Sequence, residues 1–238
     1  MQVSQVWRRL MPWLEQVGRN MTSLNDDYLQ PSKLCDFDRR PELRAKALEL
    51  ASGCRSNRER FRRIYLYVKE LSYVLEDWDT PASQTLARKR GMCSGKANLM
   101  VALLRSLGIR CRYRVYRIRA EAKLWRSIVE DRVLGDLMGS APEAQDHVDC
   151  EVWLGEWRQF DPARDTALER GMEAMGIPLE RKPILDESGQ AHLVLLASVD
   201  EWARERQARR RFRKNRGEIF AWVNAQFERM RELGRQVT

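Results

Sequence analysis

The stretch Gly91-Met92-Cys93-Ser94-Gly95-Lys96-Ala97-Asn98-Leu99-Met100-Val101-Ala102-Leu103-Leu104-Arg105-Ser106-Leu107-Gly108 decides the fold. Ala97, Met100, Val101, Leu104 and Leu107 recur at the three- and four-residue spacing of one helix face. Gly108 follows the last of them and predicts the stop, because glycine accepts the left-handed backbone that closes a helix. Cys93 therefore falls at the start of a helix over residues 94–107. Exposed N–H groups and aligned peptide dipoles favour negative charge at such a start, so a cysteine there is placed to become a thiolate. Its backbone N–H would also be available to a developing oxyanion. On position alone, a small buried cysteine is an equally good reading.

Downstream, residues 110–119 alternate Cys111, Tyr113, Val115 and Ile118 against arginines, with a slip near Tyr116, which predicts a half-buried strand. Residues 121–139 place Leu124, Ile128, Val129, Val133 and Leu137 on one side of a helix, expected to pack on the domain rather than to act as a lid. Val148, Cys150, Val152 and Leu154 then alternate with polar residues, Gly155 turns, and residues 156–160 return as the second half of a β-hairpin. His147 opens the first of these strands and Asp161 ends the second. An imidazole facing a helix N-terminus can take the proton of a thiol and later give it to a leaving group. An acid beside it holds the ring in the useful tautomer. A loop centred on Leu154 would set His147 opposite Asp161, whereas a loop one residue longer would not, and Asp165 is the alternative third member.

Upstream, Pro41 opens a short helix to about Ser52, and Ser56 with Glu59 forms a capping box before the stripe Phe61, Ile64, Tyr65, Val68 and Leu71. Residues 3–17 have helical spacing interrupted by Pro12, and residues 20–38 read as a loop. Beyond the hairpin, residues 192–197 form a possible strand, and Ser198 with Glu201 caps a long helical tail reaching about Leu233. The run Arg204 to Arg216 could follow nucleic-acid phosphates, but Glu201, Glu205 and Glu218 flank it and favour a solvated face. The stripe Ile219, Phe220, Val223, Phe227, Met230 and Leu233 must be buried on the core or on a second copy, which makes a homo-oligomer possible.

The 238 residues suffice for one domain with additions: a helical extension over 1–40, a catalytic domain over 41–198 and a basic amphipathic tail over 199–238. The net charge of +9 comes largely from that tail, which keeps an anionic partner under consideration. Five cysteines, odd in number and without zinc-knuckle spacing, predict neither a disulfide framework nor a structural metal, and nothing calls for a cofactor. The first residues do not form a secretory signal and no apolar run is long enough to span a membrane, so a cytoplasmic location is expected.

The run from Leu86 to Arg110, with Gly91-Met92-Cys93 opening a helix that ends Leu103-Leu104-Arg105-Ser106-Leu107-Gly108-Ile109, resembles the cysteine motif of the transglutaminase-like superfamily. His147-Val-Asp-Cys-Glu-Val-Trp-Leu-Gly-Glu-Trp-Arg-Gln-Phe-Asp161-Pro162 resembles the family's second motif. The resemblance implies an α+β papain-like fold, with the nucleophile helix packed on an antiparallel sheet. It places Cys93, His147 and Asp161 on a catalytic triad, and makes Gln84, upstream of Cys93 as a glutamine is in papain-like enzymes, a candidate oxyanion donor, with a surface role an equally good reading. It further implies thioester chemistry on a peptide, protein or other amide, by hydrolysis or by acyl transfer to an amine. An idle triad beside a binding tail is the rival from outside enzymology. Asp149 stands where the family often has an aromatic residue, and Ala163 where a threonine usually follows the Asp-Pro.

Overall fold

A computed structural model describes residues 25–119, 124, 144–181, 183–210 and 216–237. The N-terminal helical spacing, and the 121–139 segment apart from Leu124, lie outside the described residues. Helix α1 (Pro41–Ala51) and helix α2 (Asn57–Glu70) come first, followed by strand β1 (Ser72–Tyr73), helix α3 (Ala82–Arg88) and strand β2 (Arg90–Gly91). Helix α4 (Cys93–Ser106) is next, then strands β3 (Cys111–Arg119), β4 (Ala144–Trp153) and β5 (Trp157–Phe160). Helix α5 (Thr166–Ala174), strand β6 (Leu193–Leu196), helix α6 (Asp200–Arg210) and helix α7 (Arg216–Gln236) complete the order.

Helix α4 is the axis of the core. Every residue from Cys93 to Arg105 is buried, because the helix packs on β4 on one side and on α1, α2 and α3 on the others. A helix enclosed all round cannot present a polar face, and its two long cationic side chains, Lys96 and Arg105, find backbone carbonyls as partners. Lys96 donates to the carbonyls of Lys69 and Leu71 at 3.0 and 2.6 Å, placing its amino group on the carbonyl end of α2, and burial lowers its pKa to about 7. Arg105 donates to the carbonyls of Gln30, Cys111 and Ala197, which joins three separate segments. At the C-terminus Gly108 takes φ +74°, and the Ile109 and Gly108 N–H groups donate to Leu104 and Arg105 carbonyls at 3.0 and 2.9 Å. This is the glycine stop expected from the sequence, in its Schellman form. The Ser56–Glu59 cap also forms: the Glu59 N–H donates to Ser56 Oγ at 3.2 Å.

The antiparallel sheet runs β5-β4-β3-β6. Its β3–β4 ladder pairs Tyr116 with His147 and Val115 with Val148, and Tyr113 pairs with Leu196 of β6. The ladders settle the hairpin register that the sequence left open. Cys150 pairs with Phe160 and Trp153 with Trp157, so the turn centres on Gly155 at φ +95°, not on Leu154. Asp161 is therefore displaced by two positions from direct opposition to His147. Side chains alternate with period two along a strand, so an even displacement keeps both on one face.

The C-terminal helix spends its apolar stripe within the chain. Ile219, Val223, Phe227 and Met230 pack with Leu168 and Met172 of α5, with Leu124 and with Ile177, as a second cluster beside the main core. A Cβ on Gly171 would collide with the Met230 carbonyl, and one on Gly234 with the Ala167 carbonyl, so α5 and α7 touch backbone to backbone. Arg231 of α7 forms a buried ion pair with Asp165 at 2.9 Å and also donates to the Tyr73 carbonyl. In the basic run, Arg204 pairs with Glu201, Arg206 with Asp146 and Arg216 with Asp77, while residues 211–215 lie outside the described ones. No helix among the described residues is long and apolar enough to cross a membrane.

Candidate active site

Cys93 is the first residue of α4 and is 3% exposed. Met92, at the N-cap, supplies no side-chain acceptor, so the cap leaves the first-turn dipoles to act on Cys93. The turn before the helix is held from behind: the Met92 N–H donates to the half-buried Glu76 carboxylate at 3.1 Å. Burial pushes the Glu76 carboxyl upward against that hydrogen bond and the nearby Arg88. Gly95 belongs to this packing, since a Cβ there would lie 2.7 Å from Glu76 Oε1 and 2.9 Å from Thr85 Oγ1. That close approach is a physical reason for glycine at this point of the motif.

Across the cleft, β4 carries His147, 3% exposed, with its Nε2 2.8 Å from Asp161 Oδ2. Asp161 lies just past the end of β5, and its other oxygen accepts from the Ala163 N–H at 2.9 Å. Tyr116 stacks edge-on against the imidazole, with ring centroids 5.3 Å apart. A proton on Nε2 donated to Asp161 leaves the Nδ1 lone pair of His147 as the ring's acceptor. Cys93 and His147 line one cavity of about 70 Å³, together with Tyr73, Trp78, Arg164 and Arg181. Leu75, Leu124, Leu168, Met172 and Phe227 make its apolar wall.

Arg181, between α5 and β6, enters this site from the side. Its guanidinium pairs with Asp161 Oδ2, and Nη1 lies 3.1 Å from His147 Nε2. Burial lowers the His147 pKa, Asp161 opposes the shift and Arg181 adds to it, and the result is below the ordinary 6.5. Burial pulls Asp161 upward, but His147 and Arg181 overcome it and hold the carboxyl well below the usual range. Burial also works against the Arg181 charge, which Asp161 more than restores, with Cys93 contributing.

Asp149, where an aromatic residue stands in the family pattern, is fully buried beneath His147 on the same strand face. It accepts from Tyr116 Oη at 2.8 Å and from Gln159 Nε2 at 2.7 Å, and burial pushes its carboxyl up to about 7. His147, Asp149 and Asp161 offer three potential ligand atoms within 4.8 Å of one another. A guanidinium already occupies the Asp161 side of that triangle, Asp149 Oδ2 is engaged by two donors, and Asp149 Oδ1 faces the Arg114 guanidinium at 3.4 Å. A cation has no favourable place beside Arg181, so the cluster does not fit a metal.

The structure brings Cys93, His147 and Asp161 to one cleft and leaves two other expected residues outside it. Gln84 is exposed on α3 and does not line the cavity; Trp78 does. Asp165 caps α5 by accepting from the Leu168 N–H at 3.0 Å, accepts from the Tyr73 N–H at 2.9 Å and pairs with Arg231. Those donors saturate it away from His147. Sequence reasoning missed Arg164 and Arg181, which sit in segments without periodicity and join the site only through long-range packing.

No curated protein matches the chain. Among solved structures, one described as a "putative cysteine protease" from Cytophaga hutchinsonii aligns at 19% identity and a TM-score of 0.44. The alignment covers 74% of this chain and 53% of that one, so the chain spans about half the length of that neighbour. The model of the transglutaminase-like superfamily matches residues 44–162, from α1 to just past Asp161. That match covers half of the chain and encloses Cys93, His147 and Asp161, and the protein belongs to the transglutaminase-like superfamily.

Proposed function

We propose that the protein is a cysteine-dependent amide hydrolase of the peptidase kind. The observation that carries this reading is the hydrogen-bonded His147–Asp161 pair, its imidazole buried and lining a cavity that Cys93 also lines from a helix N-terminus. The Cys93 sulfur attacks the amide carbonyl carbon as its proton passes to His147 Nδ1. The carbonyl oxygen gains negative charge at the start of α4, where the Cys93 N–H and the helix dipole favour it. Collapse expels the amine, which takes the proton from His147, and leaves a thioester on Cys93. Water then attacks the thioester, His147 accepts its proton, and the acid product departs as the Cys93 thiol is restored. Asp161 keeps the imidazole in the tautomer that presents Nδ1 to the sulfur.

Competitive labelling with iodoacetamide tests the assignment. Cys54 is the most accessible of the described cysteines, whereas Cys35, Cys93, Cys111 and Cys150 are buried. Exposure alone therefore predicts that Cys54 reacts fastest. The expected outcome is faster alkylation at Cys93, lost in His147→Ala, and equal or slower reaction at Cys93 rejects the reading. Turnover of an activated thioester with and without an added amine separates hydrolysis from acyl transfer by the product formed.

A further inference from the structure

Among the described residues, the arginines that enter the interior are compensated, with one exception. Arg112 pairs with Glu151 at 2.7 Å, Arg231 with Asp165 at 2.9 Å, and Arg181 with Asp161. Arg105 has no carboxylate but reaches three backbone carbonyls. Arg164 is 7% exposed, lines the cavity with Cys93 and His147, and donates to the Leu179 carbonyl at 3.1 Å. Among the described residues no carboxylate forms an ion pair with it. Burial, and then the like charge of Arg181, push its pKa down to about 10, which still leaves it charged at neutral pH.

An unpaired buried cation is costly, and a guanidinium has five N–H donors arranged to grip a planar anion. The charges around the cavity leave the same surplus. Asp161 offsets Arg181, Arg206 offsets Asp146, and Lys69 offsets Glu169, while Arg164 remains. The cavity is small, and Leu75, Leu168, Met172 and Phe227 line it without offering counter-charge. Arg164 also lies beyond the 44–162 segment matched by the superfamily.

We propose that Arg164 is an anchor for a substrate carboxylate, so that the cleft selects acyl substrates carrying a carboxylate close to the scissile amide. The anchor rests on Cys93 being the nucleophile, and deepens that reading by naming the substrate class. A free peptide C-terminus and an aspartate or glutamate side chain share this chemistry. Arg164 donates to both carboxylate oxygens, while the apolar wall excludes the water that would otherwise screen the pair.

Three alkylating reagents test it on the full chain: iodoacetyl-glycine with an α-carboxylate, iodoacetyl-aspartate α-amide with a side-chain carboxylate, and neutral iodoacetyl-glycinamide. Rates are read at Cys93 and, as an internal standard, at Cys54. A charge-assisted pair predicts that a carboxylate reagent modifies Cys93 about tenfold to a hundredfold faster than the neutral one, after division by the Cys54 ratio. The faster of the two carboxylate reagents identifies the source. In Arg164→Gln the preference falls to the Cys54 ratio, and Arg164→Lys restores part of it. As a measurement independent of any variant, N-acetylglycine or N-acetylaspartate α-amide slows iodoacetamide labelling of wild-type Cys93, and N-acetylglycinamide does not. Equal rates for all three reagents at a reactive Cys93, no protection by either acetylated carboxylate, or a preference that survives in Arg164→Gln overturns the anchor. A Cys93 no more reactive than Cys54 toward iodoacetamide instead rejects the nucleophile assignment itself, so the two failures are distinguishable.

Discussion

Two aspartates four positions apart, Asp161 and Asp165, both sit in arginine-bearing surroundings and do opposite things. Asp161 leaves the end of a hairpin and meets His147 and Arg181 in the cleft. Asp165 starts α5 and meets the Leu168 and Tyr73 N–H groups and Arg231 of α7. The first carboxylate touches a titrating ring beside a thiol, whereas the second ties helix to helix. Residue type and an arginine partner are common to both, so the other groups each carboxylate meets determine its role. Chemistry is expected to depend on the first, and folding on the second.

The largest effect expected is at the other side of the cleft. Cys93→Ala removes the group that forms the thioester and should lower turnover by on the order of 10⁴-fold or more, with circular dichroism unchanged. His147→Ala should be nearly as damaging. Persistent turnover in Cys93→Ala would separate the Asp161 region from catalysis altogether.

Replacing the two aspartates tests the comparison directly. Asp161→Asn should cost roughly 10²- to 10⁴-fold in kcat, because the amide can hold the imidazole in the wrong tautomer. It also leaves the Arg181 charge unbalanced beside His147. Asp165→Asn should instead cost about 3–5 kcal/mol in denaturant unfolding, the range for breaking a buried ion pair, while the folded fraction keeps its kcat. The Asp165 carboxyl is drawn up by burial, but Arg231 and backbone donors bring it below the ordinary 3.8. With the folded pKa depressed, its stabilisation is complete above the unfolded value and fades as pH falls through the lower folded one. Asp165→Asn should thus flatten the acid side of the stability curve. If the effects on rate and stability were exchanged between the two variants, the division of roles would be wrong.

A smaller and sharper effect concerns Arg181. Removing its charge in Arg181→Met takes away one of the influences that lower the His147 pKa. The acid limb of kcat/KM should then move to higher pH, with the direction set by the loss of a nearby cation. A shift to lower pH would mean that Arg181 does not face the base electrostatically as its 3.1 Å approach suggests.

The smallest effect belongs to Gln84, exposed on α3 away from the cavity. Gln84→Ala should change kcat by less than about threefold and stability by about 0.5 kcal/mol or less, as for an ordinary surface position. A large loss would restore it as an oxyanion donor.

Periodicity and spacing alone gave the nucleophile helix, its glycine stop, the Ser56 cap, the arginine-alternating strand and a hairpin turning near Gly155. These are local: each depends on hydrogen bonds and side-chain faces within a dozen residues. The two motifs also placed Cys93, His147 and Asp161 in chain order. What the tertiary structure decided was everything requiring distant partners. The hairpin register was open until the β3–β4–β5 ladders fixed it, and it differs by an even step that preserves the shared face. The choice of Asp161 over Asp165 follows from Arg231 arriving 66 residues later to occupy the latter. Arg164 and Arg181 come from turns with no local signal, and they reach the cleft because α5 and α7 dock beside it. Local sequence specifies which backbone groups bond to their near neighbours, but burial and charge compensation are settled only when remote segments share one low-dielectric interior.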